Sequence, residues 1–175
     1  MNIIELKIKY LNEILVIYNE SIVGSTVLYD YTPRDMTFMN SWYIHKVQND
    51  FPLIGAINTD GVLMGFATYG SFRGFPAYKF TVEHSVYVKQ GFKSAGVGKA
   101  LLGTIIGIAE GRGIKTVIGA IDSSNTASVG LHMSLGFSYC GTIKSVGYKM
   151  GKWLDIEFYQ YILKGPVAPV ECDTD

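Results

Sequence analysis

Four stretches of the chain carry apolar residues three or four positions apart, a spacing that places them on one face of a helix. The predicted helices cover residues 11–22, 32–47, 97–109 and 125–135. Thr32 followed by Pro33 is a favourable start for the second helix, because the fixed backbone angle of proline suits the first turn. Gly111 and Gly136 are predicted to end the third and fourth helices.

Shorter apolar runs predict a β-strand at the N-terminus and six more along the chain. These six strands cover residues 53–58, 62–69, 79–88, 116–121, 139–145 and 156–163. The run at 116–121 is continuously apolar, which is typical of a central buried strand. Thr59-Asp60-Gly61 predicts a hairpin turn between the strands at 53–58 and 62–69. The order of elements predicts an α/β (α+β) fold, with a mixed sheet of about seven strands flanked by helices.

The composition is that of a folded chain rather than a disordered one. Of its 175 residues, 48% are hydrophobic and 17% are charged, a balance that supports a hydrophobic core. We expect a single domain over residues 1–164. Residues 165–175 contain two prolines and three acidic residues, and we expect them to form a loosely ordered tail.

The balance of charge argues against several kinds of partner. Lysine plus arginine and aspartate plus glutamate number 15 each, so the basic surplus of a nucleic-acid-binding protein is missing. The longest strongly apolar stretch, residues 101–109, is too short to cross a bilayer. Residues 1–5 lack the basic segment and apolar core of a signal peptide. We therefore expect a cytoplasmic protein with no nucleic-acid or membrane partner.

Cysteine and histidine are sparse. Cys140 and Cys172 are too few and too far apart for a disulfide framework. They also form no metal-binding pattern with His45, His84 or His132. We therefore expect no metal site.

A glycine-rich segment, residues 89–99, joins a predicted strand to the third helix. Its glycines let the backbone approach a ligand closely, and the N–H groups at a helix start attract phosphate. Lys93 and Lys99 add positive charge. The ATP-binding pattern needs a lysine directly after its second glycine, but Val97 follows Gly96. The dinucleotide pattern lacks its third glycine. Another phosphate ligand, or simply a tight turn, fits the segment.

The segment Lys93-Ser94-Ala95-Gly96-Val97-Gly98 resembles the acetyl-CoA pyrophosphate loop of GNAT N-acetyltransferases. Asn125-Thr126-Ala127-Ser128, with Leu131-His132 and Leu135-Gly136-Phe137, resembles the second half of the same cofactor site. Lys93 replaces the usual glutamine or arginine of the loop. His132 stands where many members of the superfamily carry a tyrosine that donates a proton.

Further segments resemble the phosphinothricin and methionine sulfoximine acetyltransferase branch of that superfamily. They are Phe72-Arg73, Tyr78, Thr81-Val82-Glu83-His84-Ser85-Val86-Tyr87-Val88, Gly147-Tyr148-Lys149 and Trp153-Leu154-Asp155. The resemblance covers about residues 1–164. It implies the GNAT fold with a mostly antiparallel seven-stranded sheet, acetyl-CoA as co-substrate, and a homodimer.

The resemblance also implies which residues hold acetyl-CoA. They are the backbone groups of Val86, Tyr87 and Val88, the loop residues Lys93, Ser94, Ala95, Gly96, Val97, Gly98 and Lys99, and the polar residues Asn125 and Ser128. Asn125 also suits a helix N-cap, so a purely structural role stays open for it.

Two residues are candidates for proton transfer. Glu83 is the candidate base for the amine, acting through a water because the pKa of a carboxylate is far below that of an amine. Its alternative role is to hold a cationic substrate or a structural partner. His132 follows Asn125 by two helical turns and is the candidate proton donor to the departing thiolate. A lining or packing role is its alternative.

The resemblance implies a substrate site made of Phe72, Arg73, Tyr78, Glu83, His84 and Ser85. Arg73 suits a bidentate contact with a carboxylate, although a solvated loop arginine is the alternative. Strand alternation places Glu83 and Ser85 on one face of the sheet and His84 on the other. A hydrogen-bonded core histidine is therefore the alternative for His84.

These residues predict an enzyme that acetylates the primary amine of a small amino-acid-like substrate by direct attack in a ternary complex. Phosphinothricin, methionine sulfoximine and methionine sulfone are the substrates that the resemblance implies. Two alternatives stay open: acetylation of peptide or protein N-termini, and a CoA-binding sensor without catalysis. The bulky segment at residues 73–78 favours a closed pocket over the open groove that a peptide needs.

Overall fold

The computed structural model describes residues 1–171, so Cys172 lies outside the described residues. The helices and strands, in chain order, are β1 (Asn2–Glu5), α1 (Leu11–Gly24), α2 (Met36–Gln48), β2 (Leu53–Ile57), β3 (Leu63–Ser71), β4 (Thr81–Val88), α3 (Val97–Gly111), β5 (Thr116–Asp122), α4 (Thr126–Ser134), β6 (Ser138–Lys149) and β7 (Lys152–Ile162). None of the helices within residues 1–171 has the length and apolarity to traverse a lipid bilayer.

The seven strands form one sheet in the order β1-β2-β3-β4-β5-β7-β6. Five of the six neighbouring pairs are antiparallel, and only β4 and β5 run parallel. This topology confirms the predicted fold class, a mixed and mostly antiparallel sheet flanked by helices. Residues 163–171 form neither helix nor strand. The division at residue 164 into a domain and a tail stays a prediction.

Each face of the sheet has its own apolar core. On one face, α1 and α2 pack against the central strands, and the core includes Ile14, Tyr18, Met39, Phe66 and Tyr87. On the other face, α3 covers the sheet, and the core includes Val97, Leu101, Leu102, Ile105 and Val117. The helical spacing of the α3 residues is the pattern from which that helix is predicted, and its buried face confirms it.

The second helix begins later than the sequence predicts. It starts at Met36 rather than at Thr32 or Pro33. The side chain of Asp35 accepts a hydrogen bond from the N–H of Phe38 at 2.8 Å. Because this N-cap satisfies a free donor of the first turn, the helix begins after Asp35 and leaves Pro33 in the preceding loop.

Several strand boundaries also differ from the prediction. β4 begins at Thr81 rather than residue 79, because Pro76–Tyr78 form a short 3-10 turn before it. β6 extends to Lys149 and β7 begins at Lys152. The two-residue turn between them has positive φ at both Met150 and Gly151. This conformation matches strand twist and allows a long hairpin, but Met150 is not a residue that signals it.

Lys149 ties the long hairpin to the end of α1. Its Nζ donates hydrogen bonds to the carbonyl oxygens of Ile22, Ser25 and Leu28 at 2.6, 2.8 and 2.5 Å. A cation there complements the negative end of the helix dipole. Burial lowers the pKa of Lys149, and the nearby Asp30 carboxylate partly offsets this. These three hydrogen bonds, here called the Lys149 clamp, hold the α1–α2 loop beside the C-terminal half of the sheet.

Candidate active site

The sheet opens between β4 and β5. The two strands pair at only three positions, of which the last joins Glu83 to Ile118. Beyond this point β4 continues to Val88, paired with β3 alone. One edge of residues 84–88 therefore has backbone groups without a strand partner, as in an edge strand. A ligand can form hydrogen bonds with this edge.

The turn before α3 lies at the end of β4 and suits an anion. Gly96 is the N-cap of the helix, with φ of 78° and no side-chain cap hydrogen bond. The first helical N–H groups are thus left without a side-chain acceptor, and they lie at the positive end of the helix dipole. Lys93 and Lys99 are exposed beside this helix start. These features fit a diphosphate group.

Gly98 lets the start of α3 approach its neighbours. A Cβ atom there would lie 3.2 Å from Leu131 Cδ2 on α4 and 3.7 Å from Val88 Cγ2 on β4. The start of α3, the end of β4 and the second half of α4 therefore meet at one place. This arrangement gathers the two halves of the predicted cofactor site.

Asn125 and Ser128 organise the first turn of α4. The Asn125 side chain accepts a hydrogen bond from the N–H of Ser128 at 3.1 Å. Asn125 is thus an N-cap, the structural role that the sequence leaves open for it. The carbonyl oxygen of Ser128 lies 2.7 Å from Nδ1 of His132. The cap therefore fixes the turn on which the His132 ring is held.

Glu83 and His84 are adjacent in β4 and face opposite sides of the sheet. Glu83 lies on the side of the sheet that α1 and α2 cover. Its partner in the neighbouring strand β3 is Gly70. Burial raises the pKa of the Glu83 carboxyl, and the Arg73 guanidinium partly counteracts this. A carboxylate with a raised pKa is better matched to proton transfer than an ordinary glutamate.

The loop between β3 and β4 covers the start of β4. The Phe72 and Tyr78 rings meet edge to face, with centroids 5.7 Å apart. The Arg73 guanidinium lies 4.3 Å from the Phe72 ring centroid, and Nη1 donates to the Phe72 carbonyl at 2.9 Å. Arg73 is exposed, so its charge is available to a ligand that reaches Glu83.

The same loop lines a cavity of about 380 Å³. Its lining includes Arg73, Tyr78, Val82 and Arg112, but not Glu83. Val82 points toward the α3 core, which is the face opposite Glu83. Glu83 is therefore not part of the cavity lining, and the geometry around Glu83, not the cavity, defines the candidate site.

The structure places His84 against His132 rather than against the loop. The two rings are nearly parallel, with centroids 4.9 Å apart and Nε2 atoms 2.9 Å apart. Burial and the neighbouring His132 lower the pKa of His84 to about 3. Burial also lowers the pKa of His132. Both rings are therefore neutral at pH 7. The role of His84 in substrate binding stays a prediction.

Sequence reasoning missed Gly119, which makes room for this pair. A Cβ atom at Gly119 would lie 2.9 Å from Nε2 of His84 and 3.1 Å from the His132 ring. The glycine inside the apolar run of β5 was the available signal, since a glycine in a strand often marks a close approach. Within residues 1–171, no cluster of three or more potential metal-ligating side chains occurs.

Comparison with known proteins identifies the family. The family model for the acetyltransferase (GNAT) family matches residues 11–137, a range that includes β4, the turn before α3, and His132. The chain belongs to the GNAT acetyltransferase family. This confirms the family resemblance and the acyltransferase class that the sequence predicts.

Individual GNAT relatives agree with the predicted branch. The L-methionine sulfoximine/L-methionine sulfone acetyltransferase of Pseudomonas paraeruginosa is 38% identical over 147 residues, 84% of this chain and 86% of that protein. The phosphinothricin N-acetyltransferase of Alcaligenes faecalis is 37% identical over 148 residues, 84% of this chain and 75% of that protein.

A solved GNAT structure also matches nearly the whole chain. The phosphinothricin acetyltransferase of Sinorhizobium meliloti, in complex with acetyl-CoA, has a TM-score of 0.93 and 31% sequence identity. The match covers 99% of this chain and 94% of that one. This supports acetyl-CoA as the co-substrate, as the sequence predicts.

Proposed function

We propose that this GNAT protein transfers the acetyl group of acetyl-CoA to the primary amine of a small amino-acid-like substrate, by direct attack in a ternary complex. Methionine sulfone, methionine sulfoximine and phosphinothricin are the substrates proposed, after the names of its relatives. The observation that carries this proposal is that the charge of Arg73, held on the Phe72 ring, acts on the Glu83 carboxyl and lowers its pKa. A cation within electrostatic reach of a candidate base suits an acceptor that has both a carboxylate and an amine.

Arg73 recognises the carboxylate of the acceptor in this proposal. A guanidinium presents a planar fork of donors, which matches the two oxygens of a carboxylate. Its stacking on Phe72 limits the directions that the guanidinium can take. The amine of the same acceptor is then directed toward Glu83.

Glu83 removes the proton from the acceptor ammonium, acting through a water. An ammonium has no lone pair, so attack on the thioester requires this step. Burial raises the pKa of the Glu83 carboxyl and brings it closer to the pKa of the acceptor ammonium. The amine nitrogen then attacks the thioester carbon, and a C–N bond replaces the C–S bond.

The unpaired edge of β4 and the turn before α3 hold acetyl-CoA. The turn, from Lys93 to Lys99, binds the diphosphate through N–H groups and lysine charge. Asn125 and Ser128 border the other side of the site. The N–H groups of residues 86–88 stabilise the thioester oxygen as it gains negative charge, which typically contributes about 3–4 kcal/mol. His132 protonates the departing sulfur.

A thiol-release assay tests this function. Purified protein is incubated with acetyl-CoA and one amine at a time: methionine sulfone, phosphinothricin, a polyamine or a short peptide. Release of CoA thiol with the first two amines, and N-acetylated product by mass spectrometry, is the expected result. Turnover with the peptide alone would instead support an N-terminal acetyltransferase. CoA binding without turnover on any amine would support a sensor.

We also propose that the protein is a cytoplasmic homodimer. Apolar side chains are exposed along the β6–β7 hairpin: Tyr139, Ile143, Val146, Tyr148 and Trp153. Exposed apolar side chains at the edge of a sheet are typical of a surface that pairs with another copy. Light scattering coupled to gel filtration is expected to give twice the chain mass of 19.3 kDa, and the monomer mass would contradict the dimer.

A further inference from the structure

The two buried imidazoles share one hydrogen. His84 and His132 are 8% and 3% exposed. Their Nε2 atoms lie 2.9 Å apart, and the ring planes differ by 22°. Two nitrogen atoms approach this closely when a single hydrogen lies between them. The question is which ring carries it.

The Ser128 carbonyl answers this question. A carbonyl oxygen only accepts hydrogen bonds, so Nδ1 of His132, 2.7 Å from it, carries a hydrogen. A neutral imidazole has one N–H, so Nε2 of His132 is bare. The shared hydrogen therefore belongs to Nε2 of His84. By the same count, Nδ1 of His84 is bare, and this buried atom has no hydrogen-bond partner among the described residues.

We propose that His84 is a positioning residue for His132. By donating through Nε2, it fixes the plane of the His132 ring and keeps that ring in the tautomer protonated at Nδ1. This inference rests on the proposed function and refines it. The resting His132 has no hydrogen on Nε2, so it becomes a proton donor to sulfur only after the pair takes up the second proton that the attacking nitrogen loses as the amide forms.

Gly119 is the structural requirement for the pair. A Cβ atom there would come within 2.9 Å of Nε2 of His84, a distance at which something must move. The Gly119→Ala substitution therefore separates the rings without removing either histidine. Gly103, on α3, has no atom within 4 Å of an added Cβ, so Gly103→Ala is the matched control.

Nuclear magnetic resonance on protein labelled with nitrogen-15 histidine tests the proton positions. We expect a scalar coupling between the two Nε2 atoms, with the hydrogen on His84, and a protonated Nδ1 on His132. His84→Phe and His45→Phe assign the signals, because His45 is exposed on α2. A bare Nδ1 on His132, or no coupling in the wild-type protein, would overturn the proposal.

The kinetic test uses Gly119→Ala. Loss of the coupling together with a fall in kcat of at least about tenfold, at a nearly unchanged KM for acetyl-CoA, is expected if ring position matters for proton transfer. A folded variant that keeps the wild-type kcat would refute the positioning role. His84→Phe gives the same test if Gly119→Ala does not fold. Absence of acetyl transfer by the wild-type protein would contradict the proposed function alone, since the coupling is measured without substrate.

Discussion

Arg73 lies close enough to Glu83 to lower the pKa of its carboxyl, while burial has the larger effect and raises it. The proposed base must be ionised to act, so its pKa sets the acidic limb of the pH profile of kcat/KM. Replacing Arg73 by alanine removes the lowering effect. We expect Arg73→Ala to move this limb to higher pH, whereas Arg73→Lys keeps the charge and leaves it nearly in place. If the acidic limb of the kcat/KM profile had the same midpoint in both variants, Arg73 would not act on the base.

Arg73→Ala should also weaken the binding of acceptors that have a carboxylate. A charge-assisted bidentate contact contributes about 1.5–3 kcal/mol, so we expect KM for methionine sulfone to rise about tenfold or more. The methyl ester of the same acceptor is the control. In the wild-type protein the ester should have the higher KM, and in Arg73→Ala this difference should largely vanish. An unchanged difference would place the carboxylate elsewhere.

Glu83→Gln should affect chemistry and not cofactor binding. The amide has nearly the same shape but cannot accept a proton, and a positioned base typically contributes about 10²–10⁴-fold to rate. We expect a fall of this size in kcat, with CoA affinity by calorimetry unchanged. Glu110 is exposed on α3, so Glu110→Gln serves as the control. Equal losses of turnover and CoA affinity would argue against the role of Glu83 as base.

The Lys149 clamp makes a prediction about stability. Lys149→Met removes the donor from three carbonyl oxygens at the end of α1. Lost charged hydrogen bonds to buried groups typically cost about 2–3 kcal/mol, so the free energy of unfolding in urea should fall by about that amount. Lys144 lies exposed on the same strand. A similar loss in Lys144→Met would mean that the clamp has no special role.

Gly96 makes a prediction about the cofactor turn. Its φ of 78° is in the left-handed region, where alanine costs about 1 kcal/mol more than glycine. Gly96→Ala should distort the turn and raise the dissociation constant for CoA. Gly91 lies in the same segment with open space around it, so Gly91→Ala should bind CoA like the wild-type protein. Calorimetric titration of both variants with CoA provides the comparison.

Much of the fold follows from local patterns, and the exceptions have physical reasons. The apolar spacing of α3 predicts both the helix and its buried face. The helix α2 begins after Asp35 rather than at Thr32 or Pro33, because the Asp35 side chain accepts the hydrogen bond that caps the first turn. Met150 adopts positive φ because the long hairpin imposes it. No local pattern of residues predicts this turn.

The candidate site is predictable in part. Strand alternation correctly places Glu83 and His84 on opposite faces, and the helix-start rule points to the turn before α3 as a candidate anion site. The contact of His84 with His132 depends on where β4 and β5 part and on the space left by Gly119. These are features of tertiary structure, because the residues are far apart in sequence and each has an ordinary local pattern.

A crystal structure of the protein with acetyl-CoA tests the proposed cofactor site most directly. We expect the diphosphate oxygens to accept hydrogen bonds from the N–H groups of Val97, Gly98 and Lys99. We also expect the thioester to lie in the opening between β4 and β5, bordered by Glu83 and His132. Acetyl-CoA bound elsewhere on the correctly folded chain, with this turn and opening empty, would contradict the proposed site.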